Sequence, residues 1–218
     1  MRIAIIMARS GSERFPKKNY HPFVDGMNLV EIAKDKCVKS GQFDKIVITS
    51  DDTYFKQYCN DDVTEFHHRS DELTSSSATT DQVMDCLFEE YDCVSMMVVN
   101  SPSPLQTKQD ITKCAEALAH SDCVLAVNTI RQHCDFKNGP LNYNPLGPLE
   151  PQQTLEPIRR HVHSCMGWNR ETYVASRKAG FKGLFPGKLE LVEVSPQAGM
   201  LIKYEEDFEL YKKIAKVL

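Results

Sequence analysis

Between Arg9 and Asn19 the chain reads Arg-Ser-Gly-Ser-Glu-Arg-Phe-Pro-Lys-Lys-Asn, with four cations, two serine hydroxyls and a glycine in eleven residues. Backbone N–H groups around Ser10, Gly11 and Ser12 can cradle a phosphate, and Arg9 and Lys18 can then neutralise a triphosphate. The segment is not GxxxxGK[ST], and with a single glycine it is not GxGxxG. A solvated basic loop would have the same composition. Position favours chemistry, because the segment follows directly on a short apolar run, residues 1–7 (MRIAIIM), that reads as a buried first strand.

Other chemistry-bearing residues are weaker. Asp51-Asp52 can hold a metal or cap a helix, and capping is the better reading. His67-His68 and His161-x-His163 read as loop or strand-edge histidines, since no Cys or carboxylate completes a metal cluster by spacing. Arg159-Arg160 suits either an acidic substrate or a solvated face. Trp168 reads as packing. Ser12, His163 and Cys165 make no nucleophilic triad, because nothing in the sequence pins a base to a nucleophile. No two of the eight cysteines are closer than seven positions, which excludes CxxC redox and zinc-ribbon motifs. They read as reduced, mostly buried thiols.

The elements that must position these groups alternate. Apolar, β-branched strands are expected over 2–8, 45–49, 94–99, 123–127 and 189–194. Helices are expected over 28–39, with Asn28 as N-cap and Gly41 as stop, and over 54–59, 81–91, 108–120 and 205–218. Residues 69–80 read as a polar loop, and two prolines stiffen 100–106. From 131 to 156 the pattern breaks into a segment rich in Pro, Asn and Gln. Alternating buried strands and helices call for a mainly parallel sheet covered on both faces. Ligands bind outside the carboxyl ends of such strands, which brings together the loops at 9–19, 50–52 and 100–106.

Composition sets the outer limits. The 218 residues are 41% apolar and 26% charged with net charge −4. That excludes a disordered chain, a coiled coil and a collagen-like repeat. It also argues against a dedicated nucleic-acid binder. No run approaches the ~18 apolar residues that cross a bilayer, and residues 1–7 are too short for a signal peptide, so a cytoplasmic protein without membrane or nucleic-acid partners is expected.

The run I-x-A-R-S-G-S-x-x-x-P-x-K-N, ending at Asn19, resembles the signature of the sugar-acid cytidylyltransferases, namely the acylneuraminate (CMP-sialic acid synthetase) family and its KDO-activating relatives. Further stretches are similar in the same order: residues 43–52, Arg69 with Glu72-Leu73 and the hydroxyl-rich 75–79, residues 100–106 (NSPSPLQ) and residues 202–208 (IKYEEDF). The similarity runs along nearly the whole chain. It implies one Rossmann-like α/β domain over 1–218, of the nucleotide-diphospho-sugar transferase type, with an irregular excursion at 131–165 serving a homodimer contact or substrate lid. The implied reaction moves CMP from CTP to a 2-keto sugar acid. Arg9 and Lys18 would contact the triphosphate and act in catalysis. Ser10, Gly11, Ser12, Asn19, Arg69, Ser75, Thr79, Asn100 and Ser101 would bind the nucleotide. Ser103, Gln106, Gln153 and Arg160 would face the acceptor.

The chain departs from that pattern at the metal. Mg²⁺ needs hard oxygen ligands, and the sialic acid branch supplies them from Asp-Ile-Asp; here Leu201 and Lys203 stand at the two Asp positions. Mg²⁺ is still expected, with Asp51 and Asp52 as the remaining candidates. Gln106 stands for an Arg, Glu13 for a Lys and Arg14 for a Gly. The alternatives are a cytidylyltransferase for a non-sugar acid such as a phosphonate, and a nucleotide-binding relative without activity.

Overall fold

A computed structural model describes all residues, 1–218. β1 (Arg2–Met7), β2 (Lys45–Ser50), β3 (Thr64–His68) and β4 (Ser95–Val99) are parallel neighbours in the order β3-β2-β1-β4. Beyond β4 the order continues through β8 (Ile158–Asn169), β5 (Cys123–Ile130) and β9 (Leu189–Glu193), completing seven strands. Only β8 runs antiparallel to its neighbours. The sheet is therefore mixed α/β and mainly parallel, flanked by helices.

Strand alternation divides the core. Ala4, Ile6, Ile46, Ile48, Met97 and Val99 face α1 (Leu29–Ser40) and α4 (Lys108–Leu118). Ile3, Ile5, Val47, Met96 and Val98 face α3 (Thr80–Glu90) and the Tyr173 side of α5 (Arg170–Lys178). Both faces of each central strand are thus buried, which is why the strands read as continuous apolar runs. A third cluster joins Phe15 and Phe23, from the segment after β1, to Phe208 on α6 (Glu205–Ala215); the ring centroids lie 5.3 and 5.2 Å apart. This packing lays the closing helix against the first loop.

Helix ends follow local chemistry. Asn28 accepts from the Val30 and Glu31 amides while Glu31 accepts from the Asn28 amide, and Gly41 takes φ 65 at the far end. Asp110, 2% exposed, accepts four hydrogen bonds: from the Thr107 amide and hydroxyl at 2.8 Å each, the Ser195 amide at 2.8 Å and the Ser195 hydroxyl at 2.7 Å. It ties the start of α4 to the segment after β9.

Several expectations fail. Residues Thr53–Tyr58 form a 3-10 turn instead of an α-helix. The polar β3 and α5 were not expected as elements, and the 69–80 loop contains one helical turn, α2 (Asp71–Thr74). The excursion ends before β8, so residues 158–165 belong to the central sheet and not to a lid. A small hairpin of β6 (Asp135–Phe136) and β7 (Gly139–Pro140) ornaments what remains. β8 bulges where the register jumps from Leu125↔Met166 to Val127↔His161, and His163 there has φ 53. At Gly167, four residues on, a Cβ would fall 2.7 Å from Leu118 Cδ2 on α4, so any larger residue there would have to push that side chain aside.

Burial pushes the Asp110 carboxyl up, but its hydrogen bonds from Ser195 and Thr107 outweigh this and hold it below the usual carboxylate range. Its stabilisation is therefore present at neutral pH and lost as pH falls through its folded-state pKa. Asp110→Ala, which orphans those donors, should cost about 3 kcal/mol in urea unfolding at pH 7, with the gap to wild type narrowing in acid.

Candidate active site

The first loop leaves β1 at the carboxyl edge of the sheet and is anchored at once. The Ala8 amide donates to the Thr49 carbonyl at 3.0 Å, and the Ser50 hydroxyl donates to the Ala8 carbonyl at 2.6 Å. Asp51 accepts from the Ser10 amide at 2.8 Å and also from the Ser10 hydroxyl. Burial raises the Asp51 pKa, the two Ser10 hydrogen bonds lower it, and the net direction is down. Asp52 accepts from the Tyr54 amide at 2.8 Å, capping the 3-10 turn, and from the Tyr20 hydroxyl at 2.7 Å. Both acidic residues are thus engaged in loop structure.

These anchors shape a cavity of about 460 Å³, a size suited to a small ligand. Its charged lining is four cations, Arg9, Arg14, Lys18 and Arg69, against one carboxylate, Glu13. Lys18 Nζ donates to the Ile202 carbonyl at 2.9 Å. Burial, then the nearby Arg14 and Arg9 charges, depress its pKa to about 8 against an opposing pull from Asp207. Arg9 reaches across the mouth to the Ser75 and Thr74 carbonyls at 3.3 and 3.5 Å. Arg69, 4% exposed, donates to the Thr49 carbonyl at 3.1 Å and the Thr49 hydroxyl at 3.3 Å. Burial, with repulsion from Arg9 and despite Asp51, lowers its pKa to about 10, so it is cationic at neutral pH.

Ser12, Asn19, Ser75, Thr79 and Asn100 also line the cavity. Asn19 donates to the Arg9 carbonyl at 3.4 Å and accepts from Ser101 at 3.3 Å, so Ser101 supports the wall from behind. Asn100 is held by the β8 bulge: its amide donates to the Ser164 carbonyl at 2.9 Å and its side chain to the His163 carbonyl at 2.8 Å. Ser10 and Gly11 are not in the cavity wall; Ser10 is turned to Asp51.

The four expected acceptor residues do not gather there. Ser103 and Gln106 are each 1% exposed; Ser103 donates to the Ala198 carbonyl at 3.2 Å, and Gln106 accepts from the Cys165 thiol at 3.3 Å. Both brace the loop internally. Gln153 is exposed in the excursion. Arg160 donates to Asn128 Oδ1 at 3.1 Å beside a separate recess of about 370 Å³. Conversely, Glu13 and Arg14 line the cavity though they were not counted as site residues; their place inside the basic loop was the available signal.

The model of the family described as Cytidylyltransferase matches residues 3–148. The chain belongs to the cytidylyltransferase family. An N-acylneuraminate cytidylyltransferase of Streptococcus agalactiae is 29% identical over 94% of this chain and 51% of its own length. The chain thus spans about half the length of the curated relatives it matches along most of its sequence. Among solved structures, 4-diphosphocytidyl-2C-methyl-D-erythritol synthase from Anaerococcus prevotii superposes with a TM-score of 0.70 at 14% identity, covering 99% of this chain and 96% of that one. CMP:2-keto-3-deoxy-manno-octonic acid synthetase complexed with CTP gives 0.68 at 10%, covering 100% and 99%. At these identities the structures establish a shared fold.

Members of the family generally use a divalent metal. The donor set here does not fit a protein-held Mg²⁺. Glu13 is the one carboxylate in the cavity lining, Asp51 and Asp52 are bound to Ser10, Tyr54 and Tyr20, and Leu201 and Lys203 offer no side-chain oxygen.

Removing the loop anchor should be visible locally. Asp51→Ala frees the Ser10 amide, and a charge-assisted hydrogen bond of roughly 1.5–3 kcal/mol predicts amide exchange at Ser10 faster by about ten- to a hundredfold, read by hydrogen–deuterium exchange.

Proposed function

We propose that the protein transfers CMP from CTP to a 2-keto sugar acid of the sialic or related nonulosonic type, releasing pyrophosphate. The observation that carries this is the cavity itself: in a member of the cytidylyltransferase family, four cations and several hydroxyls surround a space of about 460 Å³ at the carboxyl edge of a parallel sheet.

In the reaction an acceptor oxygen forms a bond to the α-phosphorus of CTP. The bond from that phosphorus to the bridging oxygen breaks, pyrophosphate leaves with its electrons, and the acceptor proton passes to solvent. Negative charge grows on the leaving group, so fixed cations supply the catalysis. Lys18 and Arg9 serve the triphosphate, and Arg69, clamped on Thr49, gives the wall its permanent charge. Ser12, Asn19, Ser75, Thr79 and Asn100 contact the nucleotide, while Ser10, Gly11 and Ser101 shape the loop. Arg9 leaves the Ser75 and Thr74 carbonyls when phosphate arrives. No step is assigned to a metal ion.

The partners are CTP, an acidic acceptor and a second copy of the chain. The excursion supports the homodimer, since Phe136, Leu141, Leu146 and Leu149 are exposed there, Leu146 at 96%. Light scattering at micromolar concentration reads this directly: Leu146→Asp should convert a dimer to a monomer. No helix is long and apolar enough to cross a membrane; eight free cysteines support a reducing, cytoplasmic setting.

Pyrophosphate release from CTP, against 2-keto sugar acids and phosphonates with Mg²⁺ or EDTA, tests the reading. Release with a sugar acid supports it, and release only with a phosphonate moves the acceptor class. CTP binding without release favours the inactive alternative, to which the missing carboxylates at Leu201 and Lys203 point. Lys18→Ala should lower kcat/KM by roughly 10²–10³-fold with the far-UV circular dichroism intact. Because its pKa lies near 8, wild-type kcat/KM should fall as pH rises through that value, by about tenfold per fully lost unit, and Lys18→Arg should flatten the decline.

A further inference from the structure

The histidine pair at 67–68 divides between the two faces of β3, and His67 turns inward, 8% exposed. Two side chains from α3 meet it. Glu90 Oε2 lies 3.1 Å from His67 Nε2, and the Cys86 thiol lies 3.2 Å from Glu90 Oε1. Cys86 and Glu90 are one helical turn apart, so they project from the same helix face. One ligand atom from each of the three residues falls within 4.8 Å of the others. In a tetrahedral zinc site with bonds of roughly 2.0–2.3 Å, neighbouring ligand atoms stand about 3–4 Å apart. The cluster needs only a small closure on its longest edge.

We propose that His67, Cys86 and Glu90 form a binding site for a borderline divalent transition-metal cation of the Zn²⁺ class. Three features support it. The donors are an imidazole, a thiol and a carboxylate, a set that selects a borderline cation over hard Mg²⁺. A thiolate and a carboxylate together balance a dipositive ion. Finally, the remaining ring nitrogen of His67, Nδ1, lies 2.8 Å from the Thr49 hydroxyl. That second hydrogen bond is what orients a metal-bound histidine. With the metal on Nε2, Nδ1 carries the proton and donates to Thr49 Oγ1. Glu90 is half exposed at its side chain, which leaves an entry path and room for water as a fourth ligand.

The site lies behind the nucleotide cavity and is joined to it. The same Thr49 hydroxyl that faces His67 accepts from Arg69 Nε, and Arg69 forms part of the cavity wall. A bound cation therefore fixes the tautomer and orientation of His67, and through it the Thr49 hydroxyl that accepts from Arg69. The carboxylate, thiol and imidazole were unreadable as a group in the sequence because a strand and a helix bring them together.

The test uses the full-length protein stripped with a chelator and titrated with Co²⁺ as a spectroscopic probe. One equivalent should bind, with visible d–d bands of tetrahedral intensity and a thiolate-to-cobalt charge-transfer band in the near ultraviolet. Zn²⁺ should abolish both, and a large excess of Mg²⁺ should not. Cys86→Ala should lose the charge-transfer band and bind at least tenfold more weakly. Glu90→Gln, a surface change that leaves the fold intact, should also weaken binding at least tenfold while keeping the band. Absence of the band in wild type, or Co²⁺ binding unchanged in both variants, overturns the site. Displacement of Co²⁺ by Mg²⁺ overturns the cation class.

Discussion

The cavity at the carboxyl edge of the sheet depends on holding several like charges close together with almost no countercharge. Carboxylate partners would satisfy Arg9, Lys18 and Arg69 but would also cancel their field. The structure uses backbone carbonyls instead: Thr74 and Ser75 for Arg9, Ile202 for Lys18 and Thr49 for Arg69. A carbonyl accepts a hydrogen bond as a dipole and leaves the net charge in place. Burial lowers the pKa values of Lys18 and Arg69, and repulsion from neighbouring cations deepens the shift. A polyanion placed among these cations would relieve that repulsion.

Acidic residues do the complementary work one layer back. Asp51 holds the start of the first loop, Asp52 caps the following turn, and Asp110 joins α4 to the segment after β9. Each accepts from backbone amides, where ionised carboxylates make strong hydrogen bonds. The protein thus separates its charges by task, with cations lining the cavity and anions bracing the loops that carry them. The same segregation leaves the cavity without a set of hard oxygen ligands.

Much of this frame was legible from residue types. β1, β2 and β4 are short runs of buried aliphatic residues, and α1 carries its own start and stop in Asn28, Glu31 and Gly41. The basic loop at the end of β1 was legible for the same reason, since a buried parallel strand can deliver a loop to only one edge. What escaped was made by non-local contacts. β3 is an edge strand with two adjacent histidines, and the first half of β8 is largely exposed, so neither shows an apolar run. Ser103 and Gln106 look like ligand-facing polar residues in a loop, but buried polar groups needed partners, and they serve those instead, Ser103 the Ala198 carbonyl and Gln106 the Cys165 thiol. Lys18 is held by Ile202, from the far end of the chain, which no local pattern encodes.

The antiparallel placement of β8 has a consequence for how the chain is made. It hydrogen-bonds to β4 on one side and β5 on the other, yet follows both in sequence. As the polypeptide emerges from the ribosome, β4 and β5 must therefore wait as two unpaired edges until residues 158–169 have been synthesised. Unpaired edges are templates for association between chains. The matched family segment, 3–148, stops short of this strand. It marks sequence kinship and not a separately folding unit, and the sheet closes only when a late segment is inserted into its middle.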